Sequence, residues 1–283
     1  MGARPSPTER QRRLGAELRR MRLSAGVSAE KAAGLLGIDR PRLSQIEQGS
    51  RAITLDRLRT LACNCDCADE EYVNALAAMA EPNQRGWWDR YRGSLPAGLL
   101  DIAELEAHSP HLRTALAVHI PGLLQTSDHA LAIFRVAVPP LPEHEVALRL
   151  AFRLERQQIL DSATPARYTG IVHEAALRMQ FGGAKVAKAQ LKHLLGKSEQ
   201  DNITVLAIPF GAGAFPGSGQ TLAYAEGPVP QLDTVQVDST HGPEYLHGDA
   251  QLAKYRAHLD WMTQIALPPQ ESRDLIHSIA EEL

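Results

Sequence analysis

Arg40, Pro41, Ser44, Gln45 and Gln48 are the residues of the early chain whose types and spacing point outward. They lie within GIDRPRLSQIEQG, residues 37–49, and at helical spacing they share one face. That face carries a guanidinium fork, a hydroxyl and two amides, which is hydrogen-bonding chemistry directed at something beyond the chain. Leu43 and Ile46, three apart, make a thin apolar ridge on the other side. A helix of about ten residues is marginal in isolation, so this ridge must rest on neighbours.

Residues that could carry catalysis lack the spacing for it. His173-Glu174, His108 with His111, His241 and His247 show no H-E-x-x-H or other helix-borne ligand spacing. Ser218 sits in GSGQ rather than in a G-x-S-x-G nucleophile elbow. Gly211, Gly213, Gly217 and Gly219 do not form G-x-G-x-x-G, because Pro216 holds the third place. The expectation is no enzyme, no cofactor and no metal. Cys63, Cys65 and Cys67 form C-x-C-x-C without the C-x2-C pairs of a zinc site and without a nearby His, which leaves a core role and a metal or redox role both open.

The elements that must position the 37–49 face stand upstream and downstream of it. Leu14, Leu18, Met21 and Ala25 recur at spacings of four, three and four, which predicts a helix from about Arg10 that Gly26 closes. Ser28 can cap the next helix, with Lys31 where a capping-box Glu would sit and Ala32, Ala33, Leu35 and Leu36 on its packing face. Gly37 makes a turn, Asp39 caps the polar-faced helix, Pro41 falls in its first turn and Gly49 ends it. Thr54 caps a fourth helix with Leu55, Leu58, Leu61 and Ala62, and DEEYVNALAAMA, residues 69–80, reads as a fifth with Tyr72, Leu76 and Met79 on one side.

The run LRRMRLSAGVSAEKAAGLLGIDRPRLSQIEQGSRAITLDRLRTLA, within residues 10–68, resembles the helix-turn-helix domain of the Xre and phage-repressor family. The resemblance implies a second motif helix across the DNA backbone and a third in the major groove. Carried over by position, it implies that Arg40, Pro41, Ser44 and Gln45 read base edges, Arg40 on guanine O6 and N7 and Gln45 on adenine N6 and N7. It implies phosphate contacts from Ser28, Arg42, Ser50 and Arg51, and a pair, Arg22 with Glu47, that ties the first helix to the end of the recognition helix. It also implies that positions 65 and 67 are core sites. The chain departs from the family at Ala29, where Gln usually opens the second motif helix and supplies a phosphate contact.

Charge separates the two halves of the chain. Net charge is −3, yet residues 1–68 hold 13 Lys and Arg against 7 Asp and Glu, and the remainder holds 17 against 26. A basic head on an acidic body suits a head that alone meets phosphate. At 283 residues the chain can form two cores. No apolar run approaches the 18 or so residues of a membrane span, and the start, MGARPSPTERQRR, has no apolar stretch of a secretory signal, so a cytoplasmic protein is expected.

Pro82-Asn83 stops the fifth helix, and QRGWWDRYRGSLP follows as an aromatic-rich linker whose Trp87 or Trp88 is expected to dock on the next domain. From Leu99 the sequence predicts a helix to Ser109, a strand-like or irregular segment ending in IPGLLQT, a helix from Ser127 and a long helix from Pro142 to about Asp161. YTGIVH, ITVLAI, TLAYA and TVQVD, beginning at 168, 203, 221 and 234, read as strands. A helix around Gln190 to Leu195 and two closing helices, about Leu246 to Ile265 and Pro268 to Leu283, complete an α+β domain with a sheet of about four strands.

IPGLLQT, RLAFRLERQQIL, HEAALRMQFGG, QLKHLL, ITVLAIPFGAGAFPG and ESRDLIHSIA resemble an actinobacterial effector domain of uncharacterised function that is commonly fused to an Xre-type head. The resemblance implies a small protein partner, since such regulators are often encoded beside one. The chain departs from that family at His129, Ala130 and Leu131, usually Tyr-Ala-Arg, and at Gln236, Val237 and Asp238, usually Tyr-Val-Glu. Arg149, Arg153 and Arg156 recur at four and three beside Gln157. That face serves either as an anion or partner-carboxylate site or as a solvated face paired with Glu155, Glu174 or Asp238. The loop with Phe210, Gly211 and Gly213 either lines a pocket or turns a corner.

The expected architecture is therefore multidomain: an N-terminal arm (1–9, disordered), an all-α helix-turn-helix head of five helices (10–81), a linker (82–96) and an α+β effector domain (97–283). The expected function is a sequence-specific DNA-binding transcriptional regulator, a repressor-type protein that binds an inverted repeat as a homodimer. Its second domain would sense a small-molecule effector or a small protein partner. The alternative is an antitoxin-like interaction module without specific DNA binding.

Overall fold

The computed structural model describes residues 6–81, 86–215, 221–239 and 241–283. The first five residues of the expected arm, the stop at Pro82-Asn83, and Pro216, Gly217, Ser218 and Gly219 lie outside the described residues. The chain divides into two compact units, Met1–Arg90 and Tyr91–Leu283.

Side-chain caps set the helices of the first unit: α1 (Glu9–Ser24), α2 (Ala29–Leu35), α3 (Arg40–Glu47), α4 (Leu55–Asn64) and α5 (Glu70–Ala80). Thr8 Oγ1 accepts from Gln11 N at 3.3 Å while Gln11 Oε1 accepts from Thr8 N at 3.0 Å. This reciprocal cap starts α1 at Glu9, one residue before the start expected at about Arg10. Ser28, Asp39, Thr54 and Asp69 accept from the third residue of the helices they open. Each such cap contributes about 1 kcal/mol. Gly26, Gly37 and Gly49 take positive φ at the three turns that separate the first four helices.

Packing then fixes α3. Leu43 and Ile46 are 1 % and 3 % exposed, and the core they enter includes Leu14, Leu18, Ala32, Ala33, Leu58, Leu61 and Leu76. A glycine inside a helix costs about 1 kcal/mol against alanine. Gly15 in α1 is there because a Cβ would stand 2.5 Å from the Ile46 carbonyl oxygen and 2.7 Å from that of Glu47. The last turn of α3 thus meets α1 backbone to backbone.

The second unit contains α6 (Ala97–Ala107), β1 (His111–Leu116), α7 (Ser127–Arg135), α8 (Glu143–Arg156), β2 (Arg167–His173), α9 (Glu174–Arg178) and α10 (Ala184–Lys197). It continues with β3 (Ile203–Ile208), β4 (Leu222–Glu226), β5 (Thr234–Ser239), β6 (Gly242–Leu246), α11 (Asp249–Ile265) and α12 (Pro269–Glu282). The sheet order is β3-β2-β1-β4-β5-β6, with β1, β2 and β3 parallel to one another and β1-β4, β4-β5 and β5-β6 antiparallel.

Both faces of this mixed sheet are covered, which is why β3 reads as one apolar run. Ile203, Val205 and Ala207 join Leu191, Leu194, Ile276 and Ile279 of α10 and α12 on one side. Leu206 and Ile208 join Leu252, Leu259 and Met262 of α11 on the other. No helix among the described residues is long and apolar enough to cross a membrane.

Six strands replace the four expected. β1, HLRTAL, mixes polar and apolar residues, and β6, GPEYL, is a half-exposed edge strand with Gly and Pro. Neither has the apolar signature of a strand. β5 supplies β6 with a partner, so Leu246 pairs with Val235 and the following helix starts only at Asp249, after the position expected.

Two glycine substitutions separate contact from propensity. Gly15→Ala should destabilise the protein by about 1–3 kcal/mol through overpacking. Gly34→Ala in α2, where a Cβ meets nothing within 4 Å, should stabilise it by about 0.5–1 kcal/mol. Urea midpoints of the two variants check this, and equal effects would remove the close approach as the reason for Gly15.

Candidate functional site

The outward face of α3 is set by what holds its back and its ends. Asp39 caps the start, the apolar ridge is buried, and Glu47 at the end takes a two-pronged ion pair from Arg22 of α1: Nε to Oε1 at 2.6 Å and Nη2 to Oε2 at 2.9 Å. Arg22 also donates from Nη1 to the Val27 carbonyl at 2.9 Å. The hydrogen bonds that Arg22 donates to Glu47 raise the Arg22 pKa above its ordinary value despite burial. Helix α3 is therefore clamped on the side away from solvent.

Arg40, Pro41 and Ser44 are exposed on the remaining side, and Gln45 is half-exposed. Arg40 Nη1 lies 2.9 Å from Glu30 Oε1, with side-chain exposures of 69 % and 65 %. An ion pair so open to water contributes about 0–1 kcal/mol. A bidentate arginine contact to guanine discriminates by about 1–3 kcal/mol, so Glu30 does not hold Arg40 back from a base edge. Ser44 Oγ accepts from Gln48 Nε2 at 3.3 Å, and Arg51 Nη1 reaches Gln45 Oε1 at 3.5 Å.

Ser28 is exposed and caps α2, and Ser50 Oγ donates to the Gln45 carbonyl at 3.1 Å. Arg42 is half-buried, with its Nε buried and without a partner. Cys63 is exposed, Cys65 buried and Cys67 half-buried, all as free thiols, and burial raises the Cys65 pKa. Among the described residues no group of three or more His, Cys, Asp or Glu is placed to hold a metal ion.

In the second unit the expected arginine stripe divides. Arg149 is taken by Glu145, one turn earlier on α8, at 2.6 and 2.9 Å. Arg156 is buried and takes both oxygens of Glu106 of α6 at 2.5 and 2.8 Å. These carboxylates, rather than Glu155, Glu174 or Asp238, are the partners, so the three arginines do not form a common anion site. Arg153 differs. Its Nη1 donates to Gln125 Oε1 at 2.5 Å, the Phe134 ring covers the guanidinium at 5.0 Å, and burial lowers its pKa to about 9.

Gln157 is structural, donating to the carbonyls of Gly122 and Gln125 at 3.1 and 2.7 Å. Asp238 is exposed and accepts from Gln236 Nε2 at 2.5 Å. Phe210 belongs elsewhere, with Gly211 and Gly213 beside it: its N donates to Glu174 Oε2 at 2.8 Å and its ring lies 5.3 Å from that of His173. Among the described residues, a Cβ on Gly211 or Gly213 would meet nothing within 4 Å.

Sequence reasoning missed the neighbours of Arg153. His129 of α7 is 1 % exposed with both ring nitrogens unpartnered, and His119 Nδ1 is buried and unpartnered. Their rings lie 5.6 and 5.0 Å from that of Phe181. Burial lowers the His129 pKa to about 4 and also lowers that of His119, with the nearby Arg153 charge adding to both. The two histidines sit ten positions apart, on either side of PGLLQT. His129 stood out in the sequence as a departure from the effector-domain pattern, and nothing there joined it to His119 or Arg153.

A family model described as a helix-turn-helix domain matches residues 13–75, and one described as a domain of unknown function (DUF5753) matches residues 99–278. No curated protein matches the chain, and no solved structure does.

The buried His129 ring has a stability consequence with a definite sign. Its pKa is near 6.5 when unfolded and about 4 when folded. Between those values only the unfolded chain binds the proton, so the contribution is fully present above pH 6.5 and is lost as pH falls, by about 1.4 kcal/mol per unit. His129→Leu should remove that slope while the other histidines keep theirs. Denaturant midpoints of wild type and variant at pH 7, 5.5 and 4.5 check it; parallel curves would mean that the ring is not held neutral.

Proposed function

We propose that this chain, which belongs to the DUF5753 family and carries a helix-turn-helix domain ahead of that region, is a sequence-specific transcriptional regulator of the Xre type. It binds an inverted repeat as a homodimer, with the two copies of α3 in successive major grooves roughly 34 Å apart on one face of the duplex. Arg40, Pro41, Ser44 and Gln45 read bases, and Ser28, Arg42, Ser50 and Arg51 meet phosphates. The second domain senses a small molecule or a small protein and does no catalysis of its own.

One observation carries the reading. The polar side chains of α3 stand outward on a helix whose cap, ridge and terminal ion pair are all committed to the fold. A rigid helix whose polar face makes only solvent-exposed side-chain contacts is what groove readout requires. The excess of Lys and Arg before residue 69 supports contact with phosphate at this end of the chain.

Binding of the full-length protein to DNA spanning its own promoter, against scrambled DNA of equal length at two salt concentrations, tests the proposal. Arg40→Ala should cost about 1–3 kcal/mol and relax preference at one base pair. Arg51→Ala should weaken binding to all sequences alike and reduce the salt slope by about one. Equal, salt-sensitive binding of the wild type to both DNAs would overturn it and favour an interaction module that neutralises a protein partner.

A further inference from the structure

Arg153 is the one arginine of its helix face that meets a neutral amide where its neighbours meet carboxylates. Arg149 and Arg156, four before and three after it, are neutralised by Glu145 and Glu106. Arg153 gives one N–H to Gln125 and lies over Phe134, and among the described residues no carboxylate stands within ion-pair distance of it. Gln125 cannot swing away, because its own Nε2 donates to the Ile120 carbonyl at 2.7 Å. Gly122 lies directly beneath: a Cβ there would stand 2.9 Å from Arg153 Nη1. The guanidinium is thus held in place by groups that do not neutralise it.

Beside it the chain leaves further hydrogen-bonding capacity unused. Among the described residues, both nitrogens of His129, a ring 1 % exposed, and Nδ1 of His119 have no partner. Each unsatisfied buried polar atom is destabilising, so native folds keep few of them, and here three occur on two rings that share Phe181. His129 and Phe134, whose ring lies against the Arg153 guanidinium, stand on the same helix, α7, and the Arg153 charge disfavours protonation of both imidazoles.

The location in the fold points the same way. His119 follows the carboxyl end of β1, at the end of the sheet where β2 and β3 also finish and where β5 brings Asp238. β1 is also the strand at which the sheet changes from parallel neighbours on one side to antiparallel ones on the other. In open α/β sheets ligands lie outside the carboxyl ends of the strands where the direction of winding changes.

We infer that Arg153, His119 and His129 form a binding site for a small organic anion, with its anionic group on Arg153, its uncharged polar atoms on the two imidazoles and its apolar part against Phe134 and Phe181. The inference rests on the reading that the second domain senses a ligand, and it names the place and chemical class. Because burial keeps the imidazoles neutral, each supplies one donor and one acceptor and no charge. Charge recognition therefore falls to Arg153 alone.

The test uses the full-length protein without DNA and follows the His119 and His129 ring resonances by NMR. Benzoate, phenyl phosphate and the neutral benzyl alcohol are titrated separately. Saturable shifts of both rings with benzoate or phenyl phosphate, at least tenfold weaker with benzyl alcohol, are expected, and whichever anion saturates at lower concentration identifies a carboxylate or a phosphate. Arg153→Gln should weaken that binding at least tenfold and Arg153→Lys less. His129→Leu should weaken it at least fivefold without lowering Tm at pH 7, since an unsatisfied ring is removed.

The absence of any saturable shift, equal binding of benzyl alcohol, or unchanged binding by folded Arg153→Gln would overturn the inference. Should the variants not fold, the wild-type comparison of benzoate with benzyl alcohol decides alone. Promoter-DNA affinity with and without the bound anion separates the two levels. An anion that binds and leaves DNA affinity unchanged supports the site and removes the sensing reading, whereas failure of the rings to respond removes the site and leaves DNA binding standing.

Discussion

The ion pair between Arg22 and Glu47 is the constraint on which the first unit depends. It joins the end of α1 to the end of α3, is nearly dry, and satisfies both carboxylate oxygens with a single guanidinium whose other nitrogen serves the Val27 carbonyl. Desolvating two charges offsets most of their attraction, so such a pair adds little net stability, but leaving one partner alone in the same place costs about 3–5 kcal/mol. Its effect is therefore geometrical. Together with the backbone contact at Gly15, it fixes how far α3 stands from α1 and which way it faces.

The second unit uses neutral side chains for a comparable purpose. The backbone of residues 120–126 belongs to no strand or long helix, yet it is tied down by Gln125 on Ile120, Gln157 on Gly122 and Gln125, and Gln190 on Leu124 and Thr126. An amide can donate to a carbonyl and accept from an N–H without a net charge to desolvate, which suits a buried segment. Beside this network of paired amides, the rings of His129 and His119 keep buried nitrogens with no partner among the described residues.

Local signals made most of the head legible. Asp39, Thr54, Gly37 and Gly49 each act within one turn of where they stand, so a linear reading finds them. β2, β3, β4 and β5 were legible as apolar runs bounded by turn residues, whereas β1 is a strand because β2 and β4 pair with it on both sides and β6 because β5 offers it an edge. At the candidate ligand site, spacing identified Arg153 but grouped it with Arg149 and Arg156. Glu145, one turn before Arg149 on α8, sets that arginine apart within reach of a linear reading, whereas Glu106, which takes Arg156, stands fifty positions away and no pattern within α8 announces it. His119, His129 and Phe181 come from three segments and are brought together only by the fold.

The clamp on α3 also bears on how such a head can change. Arg40, Pro41, Ser44 and Gln45 have no duty toward the core, and what ties Arg40 to the rest of the head is a solvent-exposed pair with Glu30. The side chains that hold the fold and those that face solvent thereby stand on opposite sides of one eight-residue helix. Substitutions on the outer side can change the hydrogen-bonding groups it presents without being screened first for folding. That face can therefore change through single replacements, with the scaffold left as it is.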